Sequence, residues 1–123
     1  MRKLLIGICL GLVASVAGAD GVENKWRLEF SGNAESAGRI VLALAPAQGD
    51  PIRATVDVPY GRAENDVARD VRDALQAQSG KRYSVEVDDG EDVLVKKHEG
   101  ERDFVITIVE NSVQGVRINI GAE

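Results

Sequence analysis

Polar and apolar residues alternate with period two over most of the chain, which places successive side chains on opposite faces of a sheet. Trp26, Leu28 and Phe30 alternate with Arg27 and Glu29. The stretch from Ile40 to Ala45 is apolar at every position, as in a strand covered on both faces. Pro46 to Pro51 has the composition of a turn, after which Ile52, Ala54, Val56 and Val58 alternate with Arg53, Thr55 and Asp57. From about Ala63 to Ser79 the period becomes helical, with Val67, Val71, Ala74 and Leu75 on one face. Asn65 is a candidate cap, Glu64 and Asp66 suit the positive end of the helix, and Gly80 is placed to end it in a left-handed conformation. Strands resume at Tyr83–Val87, Val93–Val95, Phe104–Val109 and Val116–Ile120. The predicted order is β-β-β-α-β-β-β-β, an α+β domain with a mainly antiparallel β-sheet of about seven strands and one amphipathic helix over one face or one open end of the sheet.

The N-terminus follows a different rule. Arg2 and Lys3 precede an apolar run from Leu4 to Val16, and Ala17-Gly18-Ala19 supplies the small-x-small pattern cut by a signal peptidase. A membrane span needs roughly 20 apolar residues, more than this run provides. The expectation is a signal peptide over residues 1–19, cleaved between Ala19 and Asp20, and a single domain over 20–123 that is periplasmic or secreted and has no membrane span after cleavage. Cys9 follows Ile8, not the small residue that precedes a lipidated cysteine, and reads as part of the leader.

Removal of the leader leaves 104 residues with 13 basic against 20 acidic side chains, a net charge of minus 7, and no cysteine. That charge disfavours nucleic acid and anionic lipid and favours a basic protein partner. Without cysteine the domain lacks disulfides, zinc-thiolate sites and cysteine nucleophiles. The acidic string Asp88 to Asp92 resembles a calcium loop in composition, yet its spacing is not that of an EF-hand, and Asp89-Gly90 between two strands predicts a hairpin. His98, the single histidine, lies in a charged turn with no Gly-x-Ser-x-Gly elbow elsewhere. The pairs Asp70 with Asp73 and Glu86 with Asp88 have the composition for glycoside cleavage, but in so acidic a chain they read as solvated surface. Trp26, Tyr60 and Tyr83 read as core or core-edge residues. No catalytic residue, metal or cofactor is expected.

Two resemblances add to this reading. Val56-Asp57-Val58-Pro59-Tyr60-Gly61, Val67-Ala68, Tyr83-Ser84-Val85, Val93-Leu94-Val95 and Asp103-Phe104-Val105-Ile106 stand in an order that resembles a β-rich module of phage tail-sheath proteins and flagellar hook-associated insert domains. That resemblance covers Gly38 to Ile120 and implies the same strand-helix-strand outline. Ser79-Gly80-Lys81-Arg82-Tyr83 resembles the Ser-Gly-x-x-Tyr motif of periplasmic lysozyme inhibitors, which implies partner-binding roles for Ser79, Gly80 and Tyr83. The same residues are also explained by helix termination followed by a strand that opens on an aromatic. The functional expectation is an exported, non-catalytic interaction or structural module of the cell envelope, with the inhibitor as its alternative.

Overall fold

The computed structural model describes residues 21–123, so the expected leader, Cys9 and the cleavage site at Ala19 and Asp20 lie outside the described residues. The elements are β1 (Lys25–Ser31), β2 (Gly38–Pro46), β3 (Ile52–Val58), α1 (Glu64–Ser79), β4 (Tyr83–Asp88), β5 (Asp92–Lys97), β6 (Phe104–Asn111) and β7 (Arg117–Ala122). Their order is the one that the alternation predicts. All pairings are antiparallel, and the seven strands divide into a four-stranded sheet, β4-β5-β1-β7, and a three-stranded sheet, β3-β2-β6.

Register aligns the apolar positions into one core. In the larger sheet Leu28 lies between Val93 and Ile120, and Trp26 between Val95 and Ala122. In the smaller sheet Leu42 lies between Ala54 and Ile108, and Leu44 between Ile52 and Ile106. Leu28, Phe30, Ile40, Leu42, Leu44, Val93, Val95 and Phe104 are all buried. The Trp26 indole N–H donates to the Phe104 carbonyl at 2.7 Å, which satisfies a polar atom inside the core. β2 departs from the expectation of cover on both faces. Its inner residues are buried and so is Val41 on the other face, but Ala43 and Ala45 beside it are only half-buried, flanked by the exposed Arg53, Thr55 and Thr107. Small side chains in a central strand are partly shielded by their neighbours without a second layer.

The helix presents Val67, Ala68, Val71 and Leu75 to the core and packs along β3 and β4. Burying each large apolar side chain stabilises by about 1.5–3 kcal/mol, so this face outweighs any single terminal interaction. Capping differs from the expectation. Asn65 is exposed and not the cap; the N-cap position is Ala63, whose side chain makes no cap hydrogen bond. The loop after β1 caps the helix from a distance. Asn33 Oδ1 accepts from the Glu64 N–H at 3.2 Å, and the Glu64 carboxylate accepts from the Gly32 N–H at 2.8 Å. The exchange has the logic of a capping box, with partners about thirty residues apart. At the other end Gly80 donates its N–H to the Gln76 carbonyl at 3.0 Å, with φ 59° and ψ −129°. This is a region open to glycine but distinct from the left-handed helical conformation expected there.

The capping loop is fixed by a close crossing. A Cβ on Gly32 would fall 1.9 Å from the Gly115 carbonyl oxygen, and φ is +88° at Gly32 and +89° at Gly115. Glycine is therefore required at the crossing, and the β1–β2 loop is locked to the β6–β7 loop. Asn33→Ala is expected to lower unfolding free energy by about 1 kcal/mol, the usual cost of a lost cap, in a urea titration that leaves the m-value unchanged.

Candidate functional site

The residues singled out by the inhibitor motif are drawn inward. Ser79 is 3% exposed and Tyr83 is fully buried, while Gly80, Lys81 and Arg82 between them are exposed. Tyr83 packs edge-on against Phe104 with ring centroids 4.9 Å apart, and the Arg82 guanidinium lies 5.5 Å from its ring centre. Among the described residues neither the Ser79 nor the Tyr83 hydroxyl has a partner in hydrogen-bonding geometry. Burial pushes the Tyr83 phenol above its ordinary pKa. These side chains pack the end of α1 and the start of β4, and only the short Gly80–Arg82 stretch faces solvent.

The other candidates are surface or hairpin residues. His98 is exposed, with Nδ1 beside the Lys81 carbonyl. Asp70 forms a two-pronged pair with Arg62, both contacts at 2.9 Å, and Asp73 pairs with Arg72 at 2.8 Å. The acidic string forms the β4–β5 hairpin, whose three-residue loop, Asp89 to Glu91, has positive φ at Asp89 (55°) and Gly90 (80°). Among the described residues no group of three or more His, Cys, Asp or Glu side chains is arranged to hold a metal ion. Trp26 and Tyr83 are core, as expected, but Tyr60 is 76% exposed. It follows Pro59 in the β3–α1 turn and continues past the end of the strand, away from the core.

Arg27 organises the outer face of the larger sheet. Its guanidinium contacts Asp92 at 2.7 Å, Asp88 at 3.1 Å and Glu123 at 3.0 Å, joining the hairpin to the end of the chain across β1. Three carboxylates hold it well above the ordinary arginine range, and the hydrogen bond from Arg27 holds the Glu123 carboxyl below the usual glutamate value. Beside it a shallow depression is lined by Glu29, Asn119 and Gly121. With its cation already saturated by acids, this face has the chemistry of an internal tie.

The strand edges differ in how their backbone groups are used. On β4 the outward groups belong to Tyr83, Val85 and Val87, and the Gln76 side chain takes one group from each of the first two. Its Nε2 donates to the Tyr83 carbonyl at 3.1 Å, and its Oε1 accepts from the Val85 N–H at 3.1 Å. Gln76 thus stands in for a neighbouring strand. On β6 the hydrogen bond from the Ala47 N–H to the Asp103 carbonyl sets the parity: odd residues bond to β2, and Phe104, Ile106 and Ile108 turn outward. Glu23 exchanges two hydrogen bonds with Phe104, at 2.8 and 2.9 Å. Among the described residues no strand pairs with β6 beyond that point. Ile108 is 38% and Val109 46% exposed at a bulge opposite Val41 and Leu42. Sequence reasoning did not single out Gln76, Ile108 or Val109. No sequence signal marks them, since Ile108 continues the Phe104 and Ile106 series and Val105 and Ile106 are adjacent apolar residues as well.

The sequence matches no protein-family model and no curated protein.

Two measurements check this placement of the charged and motif residues. Tyr83→Phe and Ser79→Ala each remove a buried hydroxyl without a partner, so each is expected to leave stability unchanged or raise it by up to about 1 kcal/mol in denaturant unfolding. Because the Glu123 pKa is depressed on folding, its contribution is present above the unfolded-state glutamate pKa and lost as pH falls through the folded value. Glu123→Gln is therefore expected to flatten the fall in melting temperature on acidification below the ordinary glutamate pKa.

Proposed function

We propose that this chain is an exported, non-catalytic protein-interaction module of the cell envelope, and that it meets its partner through the smaller sheet. The leader pattern of residues 1–19 supports export. Contact without catalysis is supported by the state of the candidate acids: Asp70, Asp73 and Asp88 serve in arginine pairs, and Glu86 is exposed on β4. No helix of the described residues is long and apolar enough to cross a membrane.

One observation carries the choice of surface. Among the described residues the exposed large hydrophobic side chains are Tyr60, Ile108 and Val109, and all three belong to the β3-β2-β6 sheet or to the turn that leaves it. Tyr60 leaves the sheet at the β3 edge, while Ile108 and Val109 are neighbours on the opposite edge strand, beside backbone groups that no described strand pairs, and apolar side chains at an open edge are the pattern of a contact surface. The charged residues in register on its outer face are two arginines, Arg39 and Arg53, and two acids, Asp57 and Glu110. That balance within an acidic chain lets a protein partner approach without net repulsion.

A photo-crosslinking amino acid placed at Val109, and separately at Gln78 on the exposed side of α1, tests the proposal in cells. The exported protein is expected to begin at Asp20 by N-terminal sequencing and to form one discrete adduct from position 109 and none from 78. Adducts in equal yield from both positions, or none from 109, would remove the smaller sheet as the contact surface. Lysozyme inhibition by the purified protein, lost on changing Lys81 and Arg82 to Ala, would instead move the partner to the exposed part of the Ser-Gly-x-x-Tyr stretch.

A further inference from the structure

Two sheets packed face to face leave two seams, and this protein treats them differently. Along β3 and β4 the helix lies in the seam and Gln76 occupies the β4 edge. Along β6 and β7 no described element lies between the edges. The Glu123 N–H donates to Lys25, so odd residues of β7 bond to β1, and Ile118 and Ile120 turn their backbone groups outward. Among the described residues, therefore, the two edges without a strand partner carry the outward groups of Ile106 and Ile108 on one side and of Ile118 and Ile120 on the other. Ile118 and Ile120 are only half-buried, and Ile108 is 38% exposed. Backbone groups without partners beside incompletely buried isoleucines are the two requirements for adding a strand.

We propose that the β6 edge between Val105 and Glu110 receives a short extended segment of a partner protein, paired through Ile106 and Ile108, with alternate apolar side chains turned onto Ile108, Ile118 and Ile120 and a cationic residue at each end. This rests on the interaction-module reading and adds its mode and partner chemistry. Length follows from the ends of the site. Glu23 already holds the Phe104 position, and the Val109 bulge bends β6 away, leaving room for about five or six residues, roughly 20 Å at strand rise. Charge follows from the same ends. The Glu23 carboxylate lies at one and the exposed Glu110 carboxylate at the other, in a chain with 20 acidic against 15 basic residues. Cations accompany these acids, Arg117 at the start of β7 near the Glu110 end and Arg102 and Lys97 near the Glu23 end, with Lys97 already paired to Asp103, whereas Ile106 to Ile108 carries no charge, so the segment's charges belong on its ends and not its centre. A second copy of the chain brings its own Glu110 to the same edge and its own net negative charge, which opposes self-pairing.

The test uses the purified Asp20 to Glu123 protein and a synthetic peptide, Lys-Thr-Val-Thr-Val-Thr-Lys, with hydrogen exchange read at single amides. Saturating peptide is expected to slow exchange at Ile106 and Ile108 at least tenfold. A peptide of the same sequence N-methylated on the bonding side is expected to give no protection, and one with Glu at both ends to bind at least fivefold more weakly. Ile108→Pro removes one outward N–H at an edge position that tolerates proline, and Ile108→Lys keeps that N–H but charges the edge. Both are expected to fold, by circular dichroism, and to lose peptide binding.

Absence of peptide binding, or protection confined to residues outside β6, would overturn the proposal. So would a dimer in sedimentation whose Ile106 and Ile108 amides are protected without peptide, because β6 would then be paired with a second copy. If the peptide fails while the Val109 crosslink still forms one adduct, the strand-addition mode is wrong and the interaction-module reading stands. If both fail, neither stands.

Discussion

The side-chain amide of Gln76 does for β4 what a neighbouring strand would do, and the rest of the architecture depends on the helix being held where it can. α1 is wedged between edges of two sheets by Val67, Val71 and Leu75, and its register along β4 places Gln76 opposite Tyr83 and Val85. A shift of one residue would rotate the apolar stripe by about 100° and take the amide off the strand. Two devices fix that register at opposite ends. The Asn33–Glu64–Gly32 exchange ties the first turn to the β1–β2 loop, and Gly80 stops the last turn three residues before β4 begins. The Gly32–Gly115 crossing fixes the capping loop in turn, so the position of the helix is traceable to a contact between loops at one end of the sandwich.

Charge has a supporting part. The outer face of the larger sheet carries Asp88, Asp92, Glu29 and Glu123 around Arg27, an arrangement that would repel itself without the cation. Exposed ion pairs contribute little singly. Here one guanidinium with 21% side-chain exposure joins β5, β1 and the end of the chain, so it acts less as a stabilising pair than as a pin for the last strand. β7 is bound to the sheet by β1 alone, and it is the strand that borders the open seam.

What the sequence makes legible is set by the range of the interaction involved. Element type depends on local periodicity, and all seven strands and the helix were readable from alternation, turn residues and the helical stripe at Val67, Val71 and Leu75. The division into two sheets was not, because any alternating strand satisfies the same pattern in either sheet. Capping failed for the same reason: Asn65 is the nearest suitable side chain in sequence, but Asn33 is the nearest in space. The inhibitor-like string illustrates the converse. Ser79 and Tyr83 are polar by type, yet the helix stripe and the strand alternation both carry them inward, and position in the period outweighs the hydroxyl. Tyr60 shows an aromatic thrown outward because Pro59 ends the alternation that would have directed it.

The open seam was the least legible feature, since an unpaired edge is a property of what is missing beside a strand. Its side chains nevertheless distinguish it from a blunted edge. Edges that proteins protect from pairing commonly carry lysine, proline or an inward-pointing charge. From Val105 to Val109, β6 has none of these; its sole protective device is the bulge, which limits the length of any added strand without closing the edge to it. The opposite seam shows that this chain can close an edge with a helix and one amide. That the β6 edge is left with isoleucines and a bulge, in a domain whose other seam is covered by a helix, is the asymmetry on which the interaction reading turns.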